Sequence, residues 1–283
     1  MTVAALDINL PEITDTEELK RFLVRDRVAN AYLLGDLDPS YMPYCTWYGA
    51  RTSSGELGAL VLVYEGLRLP AVLTVAPPCA DNLDQSAIKA ALTMLDEVFG
   101  QVRQALPREF WVHAWEHHRP LLDRHFHPGP LKPMIRMGLP RGSYQRKPVD
   151  VPVRRLGHVD TAKIMELYRY FPDHFFEPYQ LESGLYFGVD GEDGDSLAAI
   201  AGIHVHSEAH DIAAIGNLVT HPAYRRRGHA TAATTVLLDA LFETVSLVTL
   251  NVEKTNVAAI RTFEKFGFTR HHVYFEGRVE TRR

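Results

Sequence analysis

The stretch Tyr224-Arg225-Arg226-Arg227-Gly228-His229-Ala230-Thr231 decides how this chain is read. A strand-like run, Ile212 to Val219, precedes it. A helix-like run from Ala223 to Glu243 contains it and continues beyond it. Arg-x-x-Gly-x-Ala at a strand-to-helix junction suits a phosphate. The first N–H groups of a helix have no partner inside the helix, and the helix dipole adds partial positive charge there. Gly228 lets backbone approach a ligand where a side chain would block it. The three consecutive arginines add charge and fork-shaped donors for phosphate oxygens. The same residues also suit a plain solvated helix start, so the surroundings must decide.

Downstream lies a second strand-like run, Leu247 to Val252. It is followed by Thr255-Asn256-Val257-Ala258-Ala259-Ile260-Arg261-Thr262-Phe263-Glu264-Lys265-Phe266-Gly267-Phe268. The two segments together resemble the GNAT N-acetyltransferase superfamily from its fourth to its sixth strand. Arg225, Gly228 and Ala230 match the family pattern Gln/Arg-x-x-Gly-x-Gly/Ala. Asn256, Ala259, Phe263, Gly267 and Phe268 match its downstream pattern Asn-x-x-Ala-x-x-x-(Tyr/Phe)-x-x-x-Gly-Phe. Two motifs in the right order and spacing are far more specific than either alone. The resemblance covers roughly residues 153 to 275.

Composition bounds the function classes. The chain has 283 residues, 46% hydrophobic and 23% charged, enough for one large or two ordinary domains. No apolar run approaches the roughly 18 to 20 residues that span a bilayer. The start, MTVAALDINLPEITD, lacks a basic leader and soon turns acidic. Cys45 and Cys79 make neither a disulfide framework nor a zinc signature. These features lead to an expected cytoplasmic protein with no membrane partner. Net charge is −5, which argues against nucleic acid as a partner. Residues 1–148 carry 16 basic and 17 acidic side chains, and residues 149–283 carry 14 and 18. The Arg225–Arg227 cluster thus stands in the more acidic half and fits a local anion site.

The polar stretch from Arg141 to Pro152, with two prolines, reads as the connection between halves. The expected domains are therefore 1–148 and 149–283. The second half reads as strand Val151–Arg155, a helix around Asp160–Tyr170, and strands Leu185–Val189, Ala198–His206 and Ile212–Val219. Then come the Ala223–Glu243 helix, strand Leu247–Val252, a helix from Asn256 to Phe266, and strand His272–Glu276. Ala233, Val236, Leu237, Ala240 and Leu241 give the first long helix one apolar face. Asn256 or Thr255 suits the cap of the last helix, and Gly267 suits its end.

The first half repeats this plan in degraded form. Strands Leu57–Tyr64 and Ala71–Val75 precede a helix with Ile88, Ala91, Leu92, Leu95, Val98 and Phe99 on one face. Strand Phe110–Trp115 and a helix near Pro120–Phe126 follow. The phosphate motif is missing between Val75 and the helix, where Ala76-Pro-Pro-Cys-Ala-Asp-Asn82 stands. The expected fold is α/β (α+β): two tandem acetyltransferase-like domains, each a mixed, largely antiparallel twisted sheet flanked by helices. An unrelated α/β domain in the first half is the alternative.

The resemblance implies acetyl-CoA as acyl donor and no metal. It assigns the pyrophosphate to the loop and helix start, Arg225, Arg226, Arg227, Gly228, His229, Ala230 and Thr231. It lays the pantetheine arm along the edge of Asn217, Leu218, Val219 and Thr220, in a splay between that strand and Leu247–Val252. Asn256 would contact the arm or cap its helix. Phe263 joins the cofactor set, but stands where relatives often carry a tyrosine that protonates the leaving thiolate. Tyr274 or water is the substitute. His204 and His206, read as sharing one face of a strand, are candidate general bases. The aromatic run Tyr168 to Tyr179 would either wall the acceptor or pack between the halves, with Asp173 or Glu177 attracting the acceptor's charge. The implied activity is N-acyltransfer from acyl-CoA to the amine of a small molecule or amino acid. A non-catalytic acyl-CoA sensor or scaffold, or a protein-lysine acetyltransferase, is the alternative. The oligomeric state, monomer or homodimer, is left open.

Overall fold

The computed structural model describes residues 12–76, 85–172 and 175–282. In chain order come helices α1 (Thr16–Leu23) and α2 (Ala31–Gly35), and strands β1 (Cys45–Arg51), β2 (Leu57–Tyr64) and β3 (Ala71–Val75). Helix α3 (Gln85–Val102) leads to β4 (Glu109–Trp115), α4 (Arg119–His125), β5 (Phe126–Pro128) and β6 (Lys132–Pro140). Then follow β7 (Arg154–Arg155), α5 (Thr161–Tyr168), β8 (Phe187–Asp190), β9 (Leu197–Ser207) and β10 (Ile212–Thr220). The chain ends with α6 (His229–Thr244), β11 (Leu247–Glu253), α7 (Val257–Phe266) and β12 (Thr269–Thr281). The fold is mixed α/β, with mostly antiparallel sheet and flanking helices, as expected.

Two compact units form, and neither is a contiguous half. Unit 1 comprises Met1–Asp26, Tyr41–Pro133 and Tyr274–Arg283; unit 2 comprises Arg27–Ser40 and Met134–Val273. They therefore differ from a single division after residue 148. The stretch after Arg141 is bonded into unit 2: the Tyr144 hydroxyl donates to Asp239 at 3.0 Å, and Arg146 Nε donates to the same carboxylate at 2.9 Å.

Each unit has the same internal plan. In unit 1, β1, β2 and β3 form an antiparallel meander. Helix α3 then crosses over to β4, which lies parallel to β3. Strand β12 pairs antiparallel with β4, from Tyr274↔Trp115 to Glu280↔Glu109. In unit 2, β8, β9 and β10 form the meander, α6 crosses over, and β11 lies parallel to β10. Strand β6 pairs antiparallel with β11, from Leu247↔Pro140 to Glu253↔Met134. Strand β6, from the first half of the chain, thus completes unit 2, and β12, the strand that follows α7, completes unit 1. A parallel sheet edge offers unpaired N–H and C=O groups, and any strand of fitting register can satisfy them.

The cores follow from the periodicities. Ala91, Leu95, Val98, Phe99 and Val102 of α3 are buried against the alternating residues of β2, β3 and β4. In α6, Ala233, Leu237 and Leu241 are buried as expected, while Val236 and Ala240 are only partly so. Thr234, Thr235, Leu238 and Phe242 are buried too, so α6 is covered on more than one face.

Three local expectations need correction. The long helix begins at His229 rather than Ala223, because Arg226 and Gly228 take positive φ (64° and 83°) and break the helical path. The strand expected over Val151–Arg155 shrinks to Arg154–Arg155, since Pro152 has no N–H to give a ladder. His204 and His206 do not share a face. Ala214 pairs with Val205 but Ile215 pairs with Ile203, so His204 is an extra residue at a β-bulge and the alternation breaks there.

Candidate functional site

Strand β10 is the backbone of the site. It pairs with β11 only from Ile212↔Leu247 to Ile215↔Leu250. Burial changes at the same point, from fully buried through Ile215 to half-buried from Gly216 to Thr220. On the other side, Gly216 pairs with Gly202 and Val219 with Ile200, so a second bulge holds Asn217 and Leu218. Asn217 sits there at φ +54°. Strand pairing with β11 does not continue past Ile215↔Leu250. An open backbone edge therefore runs along Leu218, Val219 and Thr220.

A buried polar network holds the bulge in place. The Tyr168 hydroxyl donates to the Asn217 carbonyl at 2.8 Å. The Asn217 amide donates to the Tyr186 hydroxyl at 2.9 Å and to Gln180 Oε1 at 3.2 Å. The Tyr186 hydroxyl lies 2.8 Å from Gln180 Oε1 and 2.9 Å from the Ile203 carbonyl. Burial first, and Tyr186 second, push the Tyr168 hydroxyl well above the usual tyrosine range. It stays protonated and remains a donor. A left-handed asparagine costs roughly 1–3 kcal/mol, and these bonds offset it.

The loop behind β10 ends at a helix start free for an anion. The first intrahelical bond of α6 runs from Ala232 N to Gly228 O at 2.9 Å, which leaves the N–H groups of His229, Ala230 and Thr231 ahead of it. Gly228 is the N-cap and supplies no side-chain cap. A Cβ built on it would meet no atom within 4 Å, so space stands open beside the backbone. Arg225 and Arg226 are exposed. Arg227 is held by Glu192, with Nη1 to Oε1 at 2.7 Å, and its guanidinium lies 5.4 Å from the Tyr224 ring. His229 packs edge-on against Tyr224 at 5.8 Å, and its buried Nδ1 has no partner. These donors fit a pyrophosphate, and the open edge of β10 fits an extended arm, so the residues present suit an acyl-CoA.

The other expected residues are distributed as follows. Asn256 caps α7, its Oδ1 accepting from Ala259 N at 3.2 Å. Phe263 is partly buried and meets Phe268 edge-on at 5.8 Å. Tyr274 belongs to unit 1, 3% exposed and 4.5 Å from the Trp115 ring. His206 Nε2 is 2.9 Å from Thr244 Oγ1 at the end of α6. His204 lies instead against Gly216, and burial first, Arg136 second, lowers its pKa to about 4. A base that weak takes little of an ammonium proton.

The aromatic run divides. Tyr168 and Phe176 stack at 5.4 Å inside the unit 2 core, with Tyr186 5.6 Å from Phe176. Phe175 and Tyr170 stay partly exposed. The Glu177 N–H donates to Gln180 Oε1 at 3.1 Å at the start of a 3-10 turn. Asp173 and Cys79 lie outside the described residues. Sequence reasoning does not single out Gln180, Tyr186, Tyr32 or Arg136. Arg136 in the apolar stretch Met134–Leu139 was a signal, because a charge amid strand residues demands a partner.

Unit 1 has the corresponding splay. Strands β3 and β4 pair only from Ala71↔Trp111 to Leu73↔His113. Beyond that point His118 reaches back across, with Nδ1 2.7 Å from Thr74 Oγ1 and Nε2 3.3 Å from the Ala76 carbonyl. His117 Nε2 reaches the same carbonyl at 3.3 Å. His118 is fully buried, and burial first, His117 second, holds its pKa well below the usual histidine range.

The comparisons agree with this geometry. A GNAT-family acetyltransferase from Novosphingobium aromaticivorans shares 19% identity, covers 79% of this chain and 89% of its own, and superposes with a TM-score of 0.51. A Drosophila protein shares 13% identity over 96% of this chain and 98% of its own, with a TM-score of 0.64. A tandem GNAT protein of the clavulanic acid biosynthesis pathway shares 12% identity over the same proportions, with a TM-score of 0.55. At these identities the likeness is one of fold, and in the last two it spans both units. No curated protein matches the chain significantly. Residues 159–268 match the family described as Acetyltransferase (GNAT) family, the stretch that contains the splay, the bulge and the α6 start. This part of unit 2 is a domain of the GNAT acetyltransferase family.

Proposed function

We propose that unit 2 is an N-acyltransferase that moves an acetyl or other short acyl group from acyl-CoA to the amine of a small molecule or amino acid. The observation that carries this reading is the end of β10–β11 pairing at Ile215↔Leu250, beside a helix start with open N–H groups. The N–H groups of His229, Ala230 and Thr231, with Arg225 and Arg226, would hold the pyrophosphate. The free edge of Leu218, Val219 and Thr220 would take the amides of the arm as an added strand. The donor supplies a thioester: the amine nitrogen bonds to its carbonyl carbon, the C–S bond breaks, and the amine's proton leaves through solvent. In this reading unit 1 is a degenerate copy of the same plan, and the protein works in the cytoplasm without metal.

The described residues Phe263 and Tyr168 are not strong proton donors. Phe263 has none to give, and Tyr168 is tied to Asn217. A CoA thiolate leaves readily enough to be protonated by water. This weakness also motivates the second reading, an acyl-CoA sensor that keeps the fold and does little chemistry.

Thiol release from acetyl-CoA, measured with a panel of small amines, amino acids and lysine peptides against buffer, separates the readings. Release driven by a small amine supports the proposal. Release driven by peptides alone moves it to protein lysine. CoA binding without release moves it to the sensor. With the best amine, Phe263→Tyr is expected to keep or raise turnover, because the new hydroxyl would point toward the sulfur. A large loss in a folded variant would contradict that placement of Phe263.

A further inference from the structure

The first residue of β10 past its pairing with β11 is Gly216. A Cβ there would lie 1.8 Å from His204 Nε2, so the imidazole rests directly on the Gly216 backbone. Two more rings flank His204: Tyr32 of α2 at 5.8 Å and Phe175 at 6.1 Å. Tyr32 is fixed from behind, with the Arg136 guanidinium 4.2 Å from its ring centroid. Arg136 is 1% exposed and donates from Nε to Asn251 Oδ1 at 2.5 Å. All these residues belong to unit 2. Tyr32, His204 and Phe175 are each half-buried. Tyr32 comes from Arg27–Ser40, far outside the segment matched to the family.

We propose that Tyr32, His204 and Phe175 form the wall that selects the acyl acceptor, and that they select a flat aromatic group carried close to the attacking amine. The inference rests on the reading of unit 2 as an acyltransferase. Aromatic rings held at these separations favour another ring in offset or edge-on contact over an alkyl chain of equal length. The wall is rigid before the acceptor arrives, because the guanidinium and Gly216 hold Tyr32 and His204, so little ordering is lost on binding. His204 stays neutral at pH 7 and adds no positive charge against an incoming ammonium. The bulge in β9 is what turns His204 toward Gly216 and away from the side of His206 and Thr244.

The test compares phenethylamine with n-hexylamine on the whole protein. Two readouts are taken: kcat/KM for thiol release from acetyl-CoA, and calorimetric binding of each amine to protein saturated with CoA. The wild type is expected to prefer phenethylamine by about tenfold or more. Tyr32→Leu keeps bulk without the ring and is expected to cut that preference to about threefold or less, with CoA affinity unchanged. Tyr32→Phe is expected to keep it. If Tyr32→Leu does not fold, Phe175→Leu carries the same expectation. A wild type without preference, or a folded leucine variant that keeps it, overturns the wall. Release with amines but no dependence on these rings leaves the acyltransferase reading standing and removes the wall. Ring-dependent amine binding without any release does the reverse.

Discussion

The N-cap residue of α7 is Asn256 and that of α4 is His118, and their side chains turn in different directions. Asn256 bonds forward, to the Ala259 N–H of its own helix. His118 makes no such cap and reaches back to Thr74 and Ala76 on the neighbouring strand. Each residue follows a strand whose parallel pairing ends early, β11 in unit 2 and β4 in unit 1. In unit 2 the short asparagine leaves the edge of β10 free. In unit 1 two histidines occupy the carbonyl that an incoming ligand would need. The same plan thus gives an open cleft in one unit and a sealed one in the other. The Arg-x-x-Gly-x-Ala pattern follows the same division, since it occurs only before α6.

The strongest way to break this comparison is His118→Ala. Thr74 and the Ala76 carbonyl lose a buried partner and a cavity remains, so stability should fall by about 3 kcal/mol. CoA affinity should not change, because unit 1 is not expected to bind it. Denaturant melts and calorimetry together check both parts. Loss of CoA binding in a folded His118→Ala protein would mean that the sealed splay is a site after all.

Protonation sharpens it. Folded His204 has its pKa lowered from 6.5 to about 4 by burial. Between those values the unfolded chain takes up a proton that the folded site refuses. Stability therefore falls as pH drops from about 6.5 to about 4 and levels off below, by no more than about 3 kcal/mol. Buried His118 acts in the same direction. His204→Gln should flatten the pH dependence of stability over this window but leave the part due to His118. An unchanged profile would mean that burial does not hold the His204 pKa down.

Gly228→Val tests the open cleft directly. The side chain would enter the space beside the α6 start at φ +83°. CoA affinity should drop about tenfold or more, which corresponds to about 1.4 kcal/mol. The strained backbone should cost about 1 kcal/mol of stability. Unchanged affinity in a folded variant would put the phosphate elsewhere and remove the contrast between the units.

Much of unit 2 was legible from local pattern. Strand β10, the α6 apolar positions Ala233, Leu237 and Leu241, the Asn256 cap and the Gly267 end each follow from residues close together in sequence. Strand and helix periodicities and caps are local properties, so a single chain displays them. The Arg-x-x-Gly-x-Ala loop was legible for the same reason, although its break at Arg226 and Gly228 was hidden inside a run that reads as helix. Elements α1, α2, β1 and β6 were not read, and three of these are short or carry charge within the apolar pattern.

The sequence by itself determined a strand–helix–strand plan in each half and an Arg-x-x-Gly-x-Ala pattern that stands only before α6. Tertiary structure alone decided which strand completes which sheet. Strands β6 and β12 each satisfy an edge in the other half of the chain, and backbone hydrogen bonding carries no label for the edge it should choose. The chain's folding back likewise put Tyr32 beside His204, a pair 172 positions apart. A bulge of one residue in β9 then sent His204 and His206 to different neighbours, because a strand's period of two reverses with every residue inserted.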